Sequence, residues 1–138
     1  MPILGHNILG IEVTKSPTPG GKVEVSLNPR IENLRLGELY LPTGRVKGIE
    51  VDVNYEVKYN PEVAKVNVKI RLFYLPKNKD AIDSILDEWE EKKVLPGDLV
   101  AEVVNFTTSE LMPLLMTLAK EMRIPYPIPL PRVMVKGE

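Results

Sequence analysis

The chain has 138 residues, the usual size of one domain, which leaves no room for separate cofactor and substrate domains. Apolar residues make up 43% and charged residues 27%, too apolar a mixture to stay disordered, and 18 Lys and Arg against 19 Asp and Glu leave no global field to attract nucleic acid or anionic lipid. No cysteine is present, which excludes disulfide scaffolds, thiol nucleophiles and thiolate metal sites, and the one histidine, His6, excludes every two-histidine metal motif.

His6 falls in an N-terminal stretch expected to be mobile, so no oriented imidazole is available as a general base. We therefore expect no catalytic residue, no metal and no cofactor. No apolar run approaches the ~20 residues of a membrane span, and the start lacks the pattern of a signal peptide, so a cytoplasmic protein without membrane insertion is expected. Glutamine is absent too, and 13 prolines with abundant Glu and Lys fit a heat-adapted host.

In chain order, Ile8 to Thr14 is predicted as a first strand, ended by the turn formers Ser16-Pro17-Thr18-Pro19-Gly20-Gly21. Lys22 to Asn28 alternates Val23, Val25 and Leu27 with polar residues, a half-buried strand that Pro29 closes or marks as an edge. Ile31 to Gly44 has poor periodicity and is expected to be a connection. From Val46 to Tyr59 the residues Ile49, Val51, Val53, Tyr55, Val57 and Tyr59 share one face, opposite Glu50, Asp52, Asn54, Glu56 and Lys58. The turn Asn60-Pro61-Glu62 then leads into an equally regular strand, Ala64 to Tyr74, to give an antiparallel hairpin. Acidic residues dominate the polar face of the first of these strands and basic residues that of the second, so cross-strand charge pairs favour the register. That face is expected to be solvated.

After Pro76 the period becomes helical. Asp80 is the expected cap of a short amphipathic helix from 80 to 93, with Ile82, Ile85, Leu86 and Trp89 on one stripe and Trp89 as a core plug. Leu99 to Phe106 fits strand and helix spacing alike. Thr107 and Glu110 match a capping box opening the main helix, Thr108 to Arg123, with Leu111, Leu115, Leu118 and Met122 on one stripe and Pro113 within its first two turns. Met112, Met116 and Ala119 lie on a different face, so the helix is apolar over more than half its circumference. One sheet buries one stripe, and a second cover is needed, most naturally another subunit or an apolar ligand. The tail, 124 to 138, has proline at every second position from Pro125 to Pro131 and must run extended. The fold class is thus α+β: a four-stranded antiparallel meander, a short helix, a long principal helix on one sheet face and a proline-rich tail, in one domain spanning 1–138.

At Leu111-Met112-Pro113, followed by one helix and then Pro125 to Pro131, the chain resembles the SecB-type protein-export chaperones, in which a Leu-Phe-Pro-like step enters the principal helix and a proline-containing crossover follows. The resemblance implies that Leu99 to Asn105 is helical. It implies a dimer of dimers with helices between sheets, and apolar grooves that hold unfolded polypeptide without ATP. The matching groove positions are Phe106, Leu111, Met112, Met116, Ile124, Tyr126, Ile128 and Leu130. The chain departs from the pattern in an inserted helix at 80–93, and it lacks the second helix and the acidic surface that docks a translocation motor.

The first functional expectation is therefore an ATP-independent holdase for unfolded polypeptide, working as a homo-oligomer (dimer or tetramer), with protein export as its setting. The alternative is a dedicated interaction module or chaperone-like partner of one toxin, antitoxin or secretion factor. An enzyme using Glu50, Asp52 or Glu56, which share a face, is the third and is not expected, since a regular polar strand face accounts for these acids.

Overall fold

The computed structural model describes residues 3–16 and 21–128. Four strands, β1 (Ile3–Lys15), β2 (Glu24–Leu41), β3 (Gly44–Asn60) and β4 (Ala64–Tyr74), are followed by α1 (Ala81–Lys92) and α2 (Gly97–Met122). All pairings are antiparallel: β2, β3 and β4 form a meander and β1 adds at its far edge beside β4, giving the order β1-β4-β3-β2. The long helix follows the sheet, an α+β arrangement.

The sheet forms where alternation is strongest. Ile49, Val51, Val53, Tyr55, Val57 and Tyr59 of β3, with Val66, Val68, Ile70, Leu72 and Tyr74 of β4, are all buried and make the floor of a single core. Ile82, Ile85 and Trp89 of α1 close part of it, with Trp89 buried as a plug. Asp80 precedes α1, but its side chain makes no capping bond; its own N–H donates to Asn78 Oδ1 at 3.0 Å instead.

Three sequence expectations are corrected. First, β1 starts at Ile3, so His6 lies in a paired strand opposite Leu72 and not in a loose terminus. Second, the stretch from Ile31 to Leu41 continues β2 instead of connecting it onward, and of the two readings of Pro29 the edge strand is the one observed. An edge strand has a free side on which a residue without an N–H is tolerated. The periodicity there is poor because a bulge between Ile31 and Asn33 resets the alternation, with the Leu34 N–H turned to Asn33 Oδ1 at 3.0 Å. Beyond it the β2–β3 hairpin outruns β4, whose last pair with β3 is Ile49 with Tyr74, so Leu36 and Tyr40 stand exposed on a projecting arm.

Third, Thr107 does not cap the main helix. α2 begins ten residues earlier, at Gly97, and Thr107 is buried inside it, its Oγ1 donating to the Val103 carbonyl at 2.6 Å. The start is written in Pro96-Gly97-Asp98, with Pro96 at the N-cap and an acid in the first turn. Pro113 therefore sits deep in the helix rather than in its first turns. Thr117 Oγ1 donates to the Pro113 carbonyl at 2.9 Å, a back-bond of the kind that accompanies helix bending. α2 ends with Arg123 in the left-handed conformation and the Ile124 N–H bonded to the Ala119 carbonyl, which turns the chain into the tail.

Candidate apolar binding surface

The seam that α2 presses onto the sheet is Leu99, Val103, Thr107, Leu111, Leu115 and Ala119, one residue in four. Ala119 therefore belongs with the seam and not with the Met112–Met116 face, while Leu118 and Met122 are half-buried on its shoulder. The hydroxyls of Tyr55 and Thr108 share a hydrogen bond of 2.9 Å that fixes the helix over β3.

At about 100° per residue, two flanks run beside the seam. One carries Phe106, Glu110 and Leu114, and it faces β1: His6 Nε2 is 3.1 Å from Glu110 Oε1, and its ring meets Phe106 edge to face at 5.6 Å. Next to this contact Ile8 and Ile11 of β1 pair with Ile70 and Val68, on the helix side of the sheet, and are 39% and 48% exposed. The opposite flank carries Val100, Val104, Met112 and Met116, all half-buried and none packed into the core cluster. By length and mean hydropathy, 1.2 over its most apolar 18 residues, α2 is the one described helix that reaches the range of a membrane span, and only 28% of that window is buried.

Of the groove positions expected from the sequence, Phe106, Met112 and Met116 lie on these flanks. Leu111 and Ile124 do not reach the surface: they are 0% and 6% exposed and belong to the core. Tyr126 and Ile128 are exposed on the tail, where Tyr59 donates its hydroxyl proton to the Pro125 carbonyl at 3.0 Å. Leu130 lies outside the described residues. Ile8, Ile11, Val100 and Val104 were not singled out in the sequence. Ile8 and Ile11 were legible as strand residues, but their exposure depends on where α2 crosses the sheet, which no local pattern records.

The opposite sheet face is charged and internally paired. Arg71 Nε lies 2.8 Å from Asp52 Oδ1, while Arg35 reaches Glu50 at 3.0 Å and Asp52 at 3.2 Å, so one network crosses β2, β3 and β4. Glu56 lies within 4.0 Å of both Arg30 and Lys58. Burial pulls the Asp52 carboxyl up, but the hydrogen bonds and charges of Arg71 and Arg35 outweigh it and hold Asp52 below the usual carboxylate range. Glu50, Asp52 and Glu56 are thus each ion-paired to basic side chains. Among the described residues no group of three His, Asp or Glu is placed to hold a metal ion.

The chain has no significant match among protein-family models, curated proteins or solved structures.

Proposed function

We propose that the protein is an ATP-independent holdase that captures extended apolar segments of non-native chains on the uncovered flanks of α2, in a homo-oligomer of the SecB type. The observation that supports this is the helix itself: a 26-residue apolar element of which the sheet takes one seam, leaving Val100, Val104, Met112 and Met116 on one side and Phe106 beside Ile8 and Ile11 on the other. Of the two segments of the same chain that would serve as a cover, Ile31 to Leu41 is strand and α1 packs towards β2.

Magnitudes decide how such a surface has to work. Completing the burial of four half-covered side chains yields about 1 kcal/mol each, roughly half of full burial. A total of about 4 kcal/mol corresponds to a Kd near 1 mM. One flank of one chain is therefore too weak to hold a client, and useful affinity requires several flanks acting on one extended segment. Self-association supplies them. β1 is the edge suited to it: it carries no Lys, Arg, Asp or Glu before Glu12 and exposes Leu4, Ile8, Leu9 and Ile11, whereas the β2 edge is guarded by Pro29, Arg30, Glu32 and Arg35.

The test is suppression of aggregation of two unrelated unfolded proteins, without nucleotide, by an oligomer of defined mass. Stoichiometric suppression of both supports the proposal. A monomer that suppresses neither removes it, and a single stoichiometric partner recovered from the native host favours the dedicated-module alternative.

A further inference from the structure

Pairing of β3 with β4 ends at Ile49, so the stretch of the β2–β3 hairpin from Leu36 to Gly48 is a two-stranded arm with no further strand beside it among the described residues. A ribbon of two strands is marginal in water by itself. This one nevertheless carries Leu36, Leu39, Tyr40, Leu41 and Val46, with Leu36 and Tyr40 53% and 70% exposed.

The two open edges of the arm differ in charge. Pro42 and Thr43 join Leu41 to Gly44, and a turn of this length makes those two a mutually hydrogen-bonded pair. Along this part of β2 the odd residues therefore turn N–H and C=O to β3, while Leu34, Leu36, Glu38 and Tyr40 turn theirs outward. The Leu34 N–H is taken by Asn33 Oδ1 at 3.0 Å, which leaves Leu36, Glu38 and Tyr40 as an open ladder with a single charge. The guards of the β2 edge thus end at Arg35. On the β3 edge the outward residues are Arg45 and Lys47, and each antiparallel register that pairs two copies through both of them sets cation against cation.

The same rules rank the registers of β2 against itself. Centring on Glu38 opposes acid to acid, and centring on Gly37 brings in Leu34, whose N–H is already bonded. Centring on Tyr40 sets Glu38 against Pro42, which has no N–H to give. Leu39 is the remaining centre. There Glu38 and the partner's Tyr40 exchange both backbone bonds, twice by symmetry, and Leu39 meets its own copy as a close, non-hydrogen-bonded pair. Each Glu38 then stands between its own Lys47, which it faces across the arm, and the partner's Tyr40.

We propose that two copies of this chain join arm to arm, β2 against β2, about a two-fold axis at Leu39. The antiparallel pairing leaves the two sheets at opposite ends of the joined arms. β1 lies at the other edge of the sheet, so this contact is separate from self-association through β1, and it does not rest on the holdase proposal.

Since no native cysteine is present, Leu39→Cys gives a direct test in the full chain. Across a non-hydrogen-bonded pair the two Cα atoms are about 4.5 Å apart, within disulfide reach. Leu39→Cys is expected to link two chains under mild oxidation at several times the yield of Lys47→Cys, which lies on the same arm but three strand spacings, about 14 Å, from its copy. Equal yields overturn the proposal. Mass by light scattering is independent of cysteine. Leu39→Lys and Leu39→Glu each oppose like charges across the axis, and Leu39 lies outside the core, so each variant alone is expected to fold and to show about half the parent mass. An equimolar mixture of the two sets acid against base and is expected to recover the parent value. Parental mass in both single variants overturns the arm contact and leaves self-association to β1. A mixture that stays at the halved mass overturns it as well.

Discussion

Gly37 and Gly48 face each other across the β2–β3 pair, and each lies beneath a side chain of the outer sheet face. A Cβ on Gly48 would come within 2.7 Å of both the Phe73 ring and the Tyr74 carbonyl oxygen, whereas one on Gly37 would meet the Glu50 side chain at 2.6 Å. The first neighbour includes backbone at the paired end of β4, and the second is a side chain alone. Gly48→Ala is therefore expected to cost about 1–3 kcal/mol and Gly37→Ala less than about 1 kcal/mol, since the latter loses little beyond a part-exposed Arg35–Glu50 pair. Chemical denaturation of the two variants checks the order, and equal losses contradict it.

Removing the Tyr55 hydroxyl tests how α2 is fastened. Tyr55 is fully buried, and its bond to Thr108 is a side-chain hydrogen bond between β3 and the middle of α2. Tyr55→Phe is expected to lower stability by about 1 kcal/mol. Thr108→Val should cost a similar amount, and the double variant less than the sum, which a denaturation cycle over the four proteins measures.

Acid should dismantle the charged face first. Asp52 has a folded pKa held below its ordinary value of 3.8 by Arg71 and Arg35, despite the opposing effect of burial. Folding thus favours its ionised form, so the stability it contributes is present above pH 3.8 and is lost as pH falls through the lower folded value. Asp52→Asn is expected to be less stable than the parent at pH 6, with the gap closing below pH 3.8. Thermal melts at both ends of this range decide it, and a gap that persists in acid contradicts the role given to the network.

At the other end of the scale, burial, the nearby charges of Glu102 and Asp98, and a hydrogen bond with Glu102 push the Tyr74 hydroxyl up to about 12. Its folded value lies above the ordinary 10, so its contribution is complete below pH 10 and fades as pH rises towards 12. Tyr74→Phe should therefore flatten the alkaline loss of stability between these limits. An unchanged alkaline limb would show that Tyr74 is not the group responsible.

Much of the architecture was legible because the driving pattern is local. Ile49 to Tyr59 and Ala64 to Leu72 alternate without a fault, and the hairpin expected from Val46 to Tyr59 and Ala64 to Tyr74 matches the observed strands to within two residues at each end. What escaped was set at a distance. The bulge after Ile31 hid the second half of β2, and Thr107 resembled a cap because its hydroxyl seeks a backbone partner, which it finds at the Val103 carbonyl inside the helix. Apolarity around α2 was visible in Met112 and Met116, but the seam was misplaced by a residue or two, since a stripe with a period of four drifts around a helix of 3.6 residues per turn. The apolar flank beside β1 depends wholly on tertiary placement, and neither Ile8 nor Ile11 announced it.

The most direct test of the uncovered helix is contact mapping. A photo-crosslinking residue is placed at Val104 or Met116, and another at Lys69 on the charged sheet face, and each variant is irradiated with an unfolded polypeptide. Crosslinks to the polypeptide from positions 104 and 116, absent from 69, are the expected result. Crosslinking no greater at 104 and 116 than at 69 would show that α2 offers no binding surface.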